Sequence, residues 1–107
     1  ANKSAMKVSI IQAIDRKLPL HDFAKNKGVD MEELIHELET IVNSGTRLDL
    51  SYYLNKLIEP EDQEEIFDLL RQSDNGSLDA VLDEYGDVYE VHELRLMRIK
   101  FISDLGN

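Results

Sequence analysis

Apolar residues at Met6, Ile10, Ile11 and Ile14 recur at helical spacing and predict a first helix over residues 4–16. Lys17-Leu18-Pro19 ends it, because proline disfavours helical backbone in the residue before it. A short second helix from Leu20 turns Phe23 and Ala24 inward and stops at Gly28, which suits a left-handed cap. The third helix, over 30–43, is the most fully specified. Asp30 can cap its first turn while Glu33 reaches back, and Val29 and Leu34 stand where a hydrophobic staple would close. Met31, Leu34, Ile35, Leu38, Ile41 and Val42 form one apolar stripe, and Asn43-Ser44-Gly45 ends the helix. Arg47-Leu48-Asp49-Leu50 then alternates polar with apolar, the pattern of a short strand or wing.

The second half is again helical. A short helix is expected from Tyr52 to Ile58. Pro60 opens the next, where the missing N–H costs nothing, and Glu61, Asp62, Glu64 and Glu65 complement the positive end, with Arg71 near the other end. Ser73-Asp74-Asn75-Gly76 reads as a turn. Ser77 caps a helix through Leu78, Val81, Leu82 and Tyr85 that closes at Gly86, and a last helix runs from about Glu90 to Asp104. An echo joins the halves: Leu20 to Gly28 followed by Glu33-Leu34 resembles Leu78 to Gly86 followed by Glu93-Leu94, with two extra residues between. A second helix-turn-helix and a chance match of short helical pairs both account for it.

These elements make the chain mainly α: a small helical bundle with a helix-turn-helix unit, with or without a wing, followed by a C-terminal helical segment. We expect one domain over 1–107, with a helix-turn-helix-like lobe at 1–50 and a helical lobe at 51–107. The 107 residues suffice for one domain able to fold alone. A plain three-helix bundle has the same element order as a helix-turn-helix, so order alone does not assign a role.

Composition narrows the function. The chain has no cysteine, which excludes a disulfide framework and a thiolate zinc site and agrees with a cytoplasmic location. No apolar run reaches membrane-spanning length, and the stretch from Ala1 does not read as a signal peptide. With no methionine at position 1, the chain is expected to be either processed or, in preference, a piece of a longer one. A net charge of −10 opposes general nucleic-acid binding, which needs clustered Lys and Arg. That charge is uneven. Residues 1–28 hold Lys3, Lys7, Arg16, Lys17, Lys25 and Lys27 against Asp15 and Asp22, a balance of +4, and the remainder stands at −14. Glu32, Glu33, Glu37 and Glu39 load the third helix with carboxylates that phosphates repel, so it does not read as a DNA reader. The last helix offers Arg95, Arg98 and Lys100, with Arg95 and Arg98 on one face. A solvated face, or ion pairs to the many carboxylates, is the plainer account of each.

Catalytic patterns are missing. His36-Glu37 starts a metalloprotease motif that Thr40 interrupts, Asp74-Asn75-Gly76 lacks the alternating acids of a calcium loop, and there is no Gly-rich phosphate loop. His21, His36 and His92 form no recognisable nucleophile–base pair, and paired acids such as Asp83 and Glu84 mean little without a pocket.

Two stretches are more particular than periodicity can supply. Asp15 to Tyr53 (DRKLPLHDFAKNKGVDMEELIHELETIVNSGTRLDLSYY) and Glu93 to Leu105 (ELRLMRIKFISDL) resemble the tail of bacterial RecQ-family ATP-dependent DNA helicases that carry an extra C-terminal helix-turn-helix domain. The resemblance implies a parent that unwinds DNA with ATP and a divalent metal, in recombination and repair. None of the family's nucleotide-binding or unwinding motifs, nor its zinc cysteines, has a counterpart here, so no catalytic, cofactor or metal residue carries over. The expected role is accessory and non-catalytic, with the rest of the helicase chain and DNA as partners. DNA contact would be weak and salt-dependent, through Lys3, Lys7, Lys25, Lys27, Arg95, Arg98 and Lys100. The alternative is an acidic protein-interaction module that packs on the helicase body or recruits another protein. A stand-alone winged-helix regulator is a third class.

Overall fold

The computed structural model describes residues 3–105, the Lys3 side chain excepted. Seven α-helices follow one another: α1 (Lys3–Asp15), α2 (Leu20–Lys27), α3 (Met31–Asn43), α4 (Ser51–Leu54), α5 (Pro60–Gln72), α6 (Asp79–Tyr85) and α7 (Val91–Leu105). One 3₁₀ turn at Asp74–Gly76 links α5 to α6, and the described residues contain no strand. The chain is a small helical bundle with a helix-turn-helix, as its apolar spacing predicts.

The bundle is organised about α7. This helix carries no one-sided stripe: Leu94, Leu96, Met97, Ile99, Phe101 and Ser103 are all buried and lie around most of its circumference. A helix apolar on all sides must be covered on all sides. The cover comes from α3 along one flank and from α4, α5 and α6 along the others, while α1 and α2 pack on α3. By contrast α3 buries one face, with Leu34, Ile35, Leu38, Ile41 and Val42 turned inward. Core residues from both halves of the chain form a single cluster.

Local chemistry sets the helix ends. At α3 the Asp30 carboxylate accepts from the Glu33 N–H at 2.8 Å, the forward half of the expected capping box. At α7 the reverse half forms, with Glu93 Oε1 accepting from the Glu90 N–H at 3.1 Å. α2 ends on left-handed Gly28, and the Val29 N–H reaches back to the Ala24 carbonyl at 3.0 Å. α1 ends in the same way without a glycine: Lys17 takes φ 58°, and the Leu18 N–H bonds to the Ala13 carbonyl at 2.9 Å. The break therefore falls at a left-handed lysine, two residues ahead of Pro19.

Two local expectations are corrected. Arg47 to Leu50 is not a strand or wing: Leu48 and Leu50 are buried and Arg47 and Asp49 exposed, but the Leu48 N–H donates to Ser103 Oγ on α7 at 2.8 Å, not to a neighbouring strand. The alternation reports which side faces the core, not sheet pairing. The helix expected over Tyr52 to Ile58 is one turn, Ser51–Leu54, continued by turns to Ile58. α6 closes at Gly86, as its sequence predicts; Gly86 is right-handed, and turns bonded to the Tyr85 carbonyl carry the chain through Tyr89. The echoed pairs α2–α3 and α6–α7 thus share order and a buried leucine, Leu34 and Leu94, but join through different backbone geometry.

Tyrosines fasten the two ends of the second half. The Tyr85 hydroxyl donates to the Glu65 carboxylate, and the Tyr89 hydroxyl donates to Asp62 and accepts from the Glu59 N–H. On the other side Tyr52 donates to the Leu18 carbonyl, tying α4 to the loop after α1. Burial pushes the Tyr52 phenol up to about 12. Burial first, and then the Glu65 carboxylate, raises Tyr85 as well.

Two predictions follow from the packing. Leu38 is fully buried in α3, so Leu38→Ala should cost about 2–5 kcal/mol in thermal or denaturant unfolding, while Glu37→Ala on the polar face changes little. Because the phenols are harder to ionise when folded, their contribution is complete below the unfolded tyrosine pKa of about 10 and is lost as pH rises through the folded values. Denaturant midpoints should therefore hold up to about pH 10 and fall above it, and Tyr52→Phe should make that fall shallower.

Candidate nucleic-acid interface

The cations of the last helix lie within the bundle. Arg95 projects from α7 onto α3, where Glu32 and Glu39, two turns apart, stand on one face. Its Nη2 and Nε donate to the two Glu39 carboxylate oxygens at 2.9 and 3.3 Å, and Nη1 donates to Glu32 at 2.6 Å. The Arg95 side chain is 16% exposed and that of Glu39 22%, so this bidentate pair is screened far less than a surface one. His92 Nε2 lies 3.5 Å from the other Glu32 oxygen. Hydrogen bonding to Glu39 raises the Arg95 pKa, and the guanidinium holds the exposed Glu32 carboxyl below its ordinary range.

The other two cations turn elsewhere. Arg98 Nε donates to the Gly76 carbonyl at 2.5 Å, closing the 3₁₀ turn onto α7. Lys100 Nζ lies 3.3 Å from Gln63 Oε1 and 5.5 Å from the centre of the Phe67 ring. Buried Gln63 in turn donates to Asn55 and to the Ile58 carbonyl, so Lys100 completes a polar knot under the α4–α5 connection. Arg95 and Arg98 are three residues apart, as their spacing predicts, yet they engage different elements and neither points freely to solvent.

The N-terminal shoulder differs. Lys25 and Lys27 are exposed in the last turn of α2, where they complement the negative end of the helix. Lys27 Nζ is 3.5 Å from Ser9 Oγ and 5.8 Å from the Phe23 ring centre. Arg16 and Lys17 are exposed just past α1. Lys7 is half-buried at the edge of an open groove of about 380 Å³ between α1 and α3, facing His36, Glu37 and Thr40. The side chain of Lys3 lies outside the described residues.

The outer face of α3 carries Glu32, Glu33, His36 and Thr40, with Glu37 half-exposed beside them. A reading helix places its N-terminal residues against base edges. Here that turn bears Asp30, Glu32 and Glu33, which stabilise the helix end and repel phosphate. Sequence reasoning missed the pairing of Arg95 with Glu32 and Glu39. The seven-residue spacing of those two acids was the available signal, but nothing local says which helix faces them. Among the described residues no three His, Asp or Glu side chains are placed to hold a metal ion.

The first three helices and the turn after them thus define a helix-turn-helix unit whose third helix is acidic and partly covered. Residues 4–54 match the family described as RecQ-1-like, helix-turn-helix domain. Such a domain is not itself a catalytic one. No curated protein matches the chain in sequence.

Removing the Arg95 guanidinium would leave Glu39 partly buried without its partner. Arg95→Ala should therefore cost about 1–3 kcal/mol in denaturant unfolding. Glu32→Gln, at the solvent-facing end of the pair, should cost clearly less.

Proposed function

We propose that the chain is a non-catalytic C-terminal accessory domain of a RecQ-type ATP-dependent DNA helicase acting in recombination and repair. It contacts DNA weakly through the α1–α2 shoulder. The observation that carries this reading is the division of cations: Arg16, Lys17, Lys25 and Lys27 are exposed on the shoulder, whereas Arg95, Arg98 and Lys100 are held by partners within the bundle. The family match over residues 4–54 supports the link to RecQ. Contacts of this kind are to phosphates and carry no base preference.

A second reading, protein docking on the helicase body or on another partner, is favoured by a separate observation. Beyond the shoulder the chain stands at −14, with Arg95, Arg98 and Lys100 held by partners and Arg47, Lys56 and Arg71 as the exposed cations there.

Titration of the chain at low salt against single-stranded, duplex and forked DNA separates the two. On the DNA reading, Lys25→Ala with Lys27→Ala weakens binding and lowers the salt slope by about one unit per lost contact. Glu33→Gln with Glu37→Gln leaves binding equal or slightly tighter. Loss of binding on changing those two glutamates instead would mean that α3 docks conventionally, and absence of binding at low salt would leave the docking reading.

A further inference from the structure

We propose that the loop at 16–19 seats an unpaired base of a DNA strand, with Leu18 against the base and Arg16 and Lys17 on the flanking phosphates. This rests on the DNA reading of the shoulder and names the form of DNA it takes. The whole loop is exposed, and Leu18, 42% exposed, is one of the few large apolar side chains left in solvent. Its backbone is tied on both sides. The Leu18 N–H donates to the Ala13 carbonyl at 2.9 Å, and the Leu18 carbonyl accepts from the Tyr52 hydroxyl of α4. Lys17 before it holds φ 58°, a left-handed backbone uncommon outside glycine, asparagine and aspartate. Pro19 after it has its φ locked by its ring. This backbone holds Leu18 outward, while Leu20, two residues on, is buried.

The charge beside Leu18 fits a nucleic-acid backbone. Among the described residues neither Arg16 nor Lys17 takes part in an ion pair. The Arg16 N–H bonds to the Gln12 carbonyl at 3.0 Å, so Arg16 continues the last turn of α1. Two turns back on the same helical face, a rise of about 10 Å, Ser9 Oγ lies 3.5 Å from Lys27 Nζ. Lys27 and Arg16 thus share one strip of α1, with exposed, uncharged Gln12 between them, and Leu18 lies at its end. Asp15 stands about 100° round the helix from Arg16. Asp49, whose charge Lys17 reaches, accepts from the Ser51 N–H at 3.0 Å. Cations that track phosphates beside an exposed apolar side chain suit a single strand, whose base faces are open, whereas in a duplex they are stacked shut. An anionic lipid surface offers similar chemistry, but it is flat and extended and would face residues 29–107, which carry −14.

The test titrates the 107-residue chain at several salt concentrations against a labelled single strand of about twelve nucleotides, the same strand with abasic sites, and the blunt duplex. The intact single strand should bind more tightly than the duplex, and about fivefold or more tighter than the abasic strand. Leu18→Ser, at an exposed position, should remove the difference between intact and abasic strands and leave the salt slope unchanged. Lys17→Gly removes a cation and relaxes the left-handed backbone, so the slope should fall by about 0.7 with folding stability kept or raised. A purely structural loop would show neither change in binding. Equal binding of intact and abasic strands or of duplex and single strand, or Leu18→Ser without effect, would overturn this seat while leaving the phosphate contacts of the shoulder standing. Association with phosphatidylserine vesicles and not with the strand would assign the loop to a lipid surface and overturn the proposal. No binding of any DNA at low salt would overturn both this seat and the DNA reading.

Discussion

A helix that is apolar around most of its circumference cannot rest on the outside of anything. α7 is such a helix, and covering it requires α3 on one flank and α4 to α6 on the others. The helix-turn-helix is therefore not an independent head joined to a tail. Its third helix, which would be open to a ligand in a free-standing unit, has one edge occupied by α7. The order of elements follows from sequence, but this requirement for cover gives the molecule a single core.

The same requirement redistributes charge. Any basic residue on α7 starts close to a neighbouring helix, and Arg95, Arg98 and Lys100 each meet an acceptor there. Arg95 is the clearest case, because Glu39 takes both of its parallel donors in a partly dry seam, where charge-assisted bonds are stronger than in water. Each is thus held by a partner within the bundle, while Arg16, Lys17, Lys25 and Lys27 at the α1–α2 edge, and Arg47 and Lys56 beyond it, stay exposed. The exposed cations of α1 and α2 thus stand beside a body whose residues, 29–107, carry a balance of −14.

How far the site could be foreseen differs from residue to residue. Lys25 and Lys27 lie at the end of a short amphipathic helix, and their exposure follows from the inward turn of Phe23 and Ala24. The acidity of the outer α3 face follows in the same way from its stripe. The occupation of Arg95 did not, since its partners lie 56 and 63 positions away.

Sequence alone determined what depends on neighbours within a few residues. Periodicity placed the helices, Asp30 and Gly28 set two of their ends, and the continuous stripe of α3 named its buried face. Those interactions act over one or two turns and need no partner from elsewhere in the chain. Tertiary structure decided what depends on which face meets which. It turned the alternation at Arg47 to Leu50 into a buried edge bonded to Ser103 instead of a wing. It also paired Arg95 with carboxylates of α3 and set Arg98 and Lys100 against uncharged acceptors in the 3₁₀ turn and on α5. Burial and charge pairing are properties of surfaces brought together across the whole chain, and that meeting is set by the packing around α7.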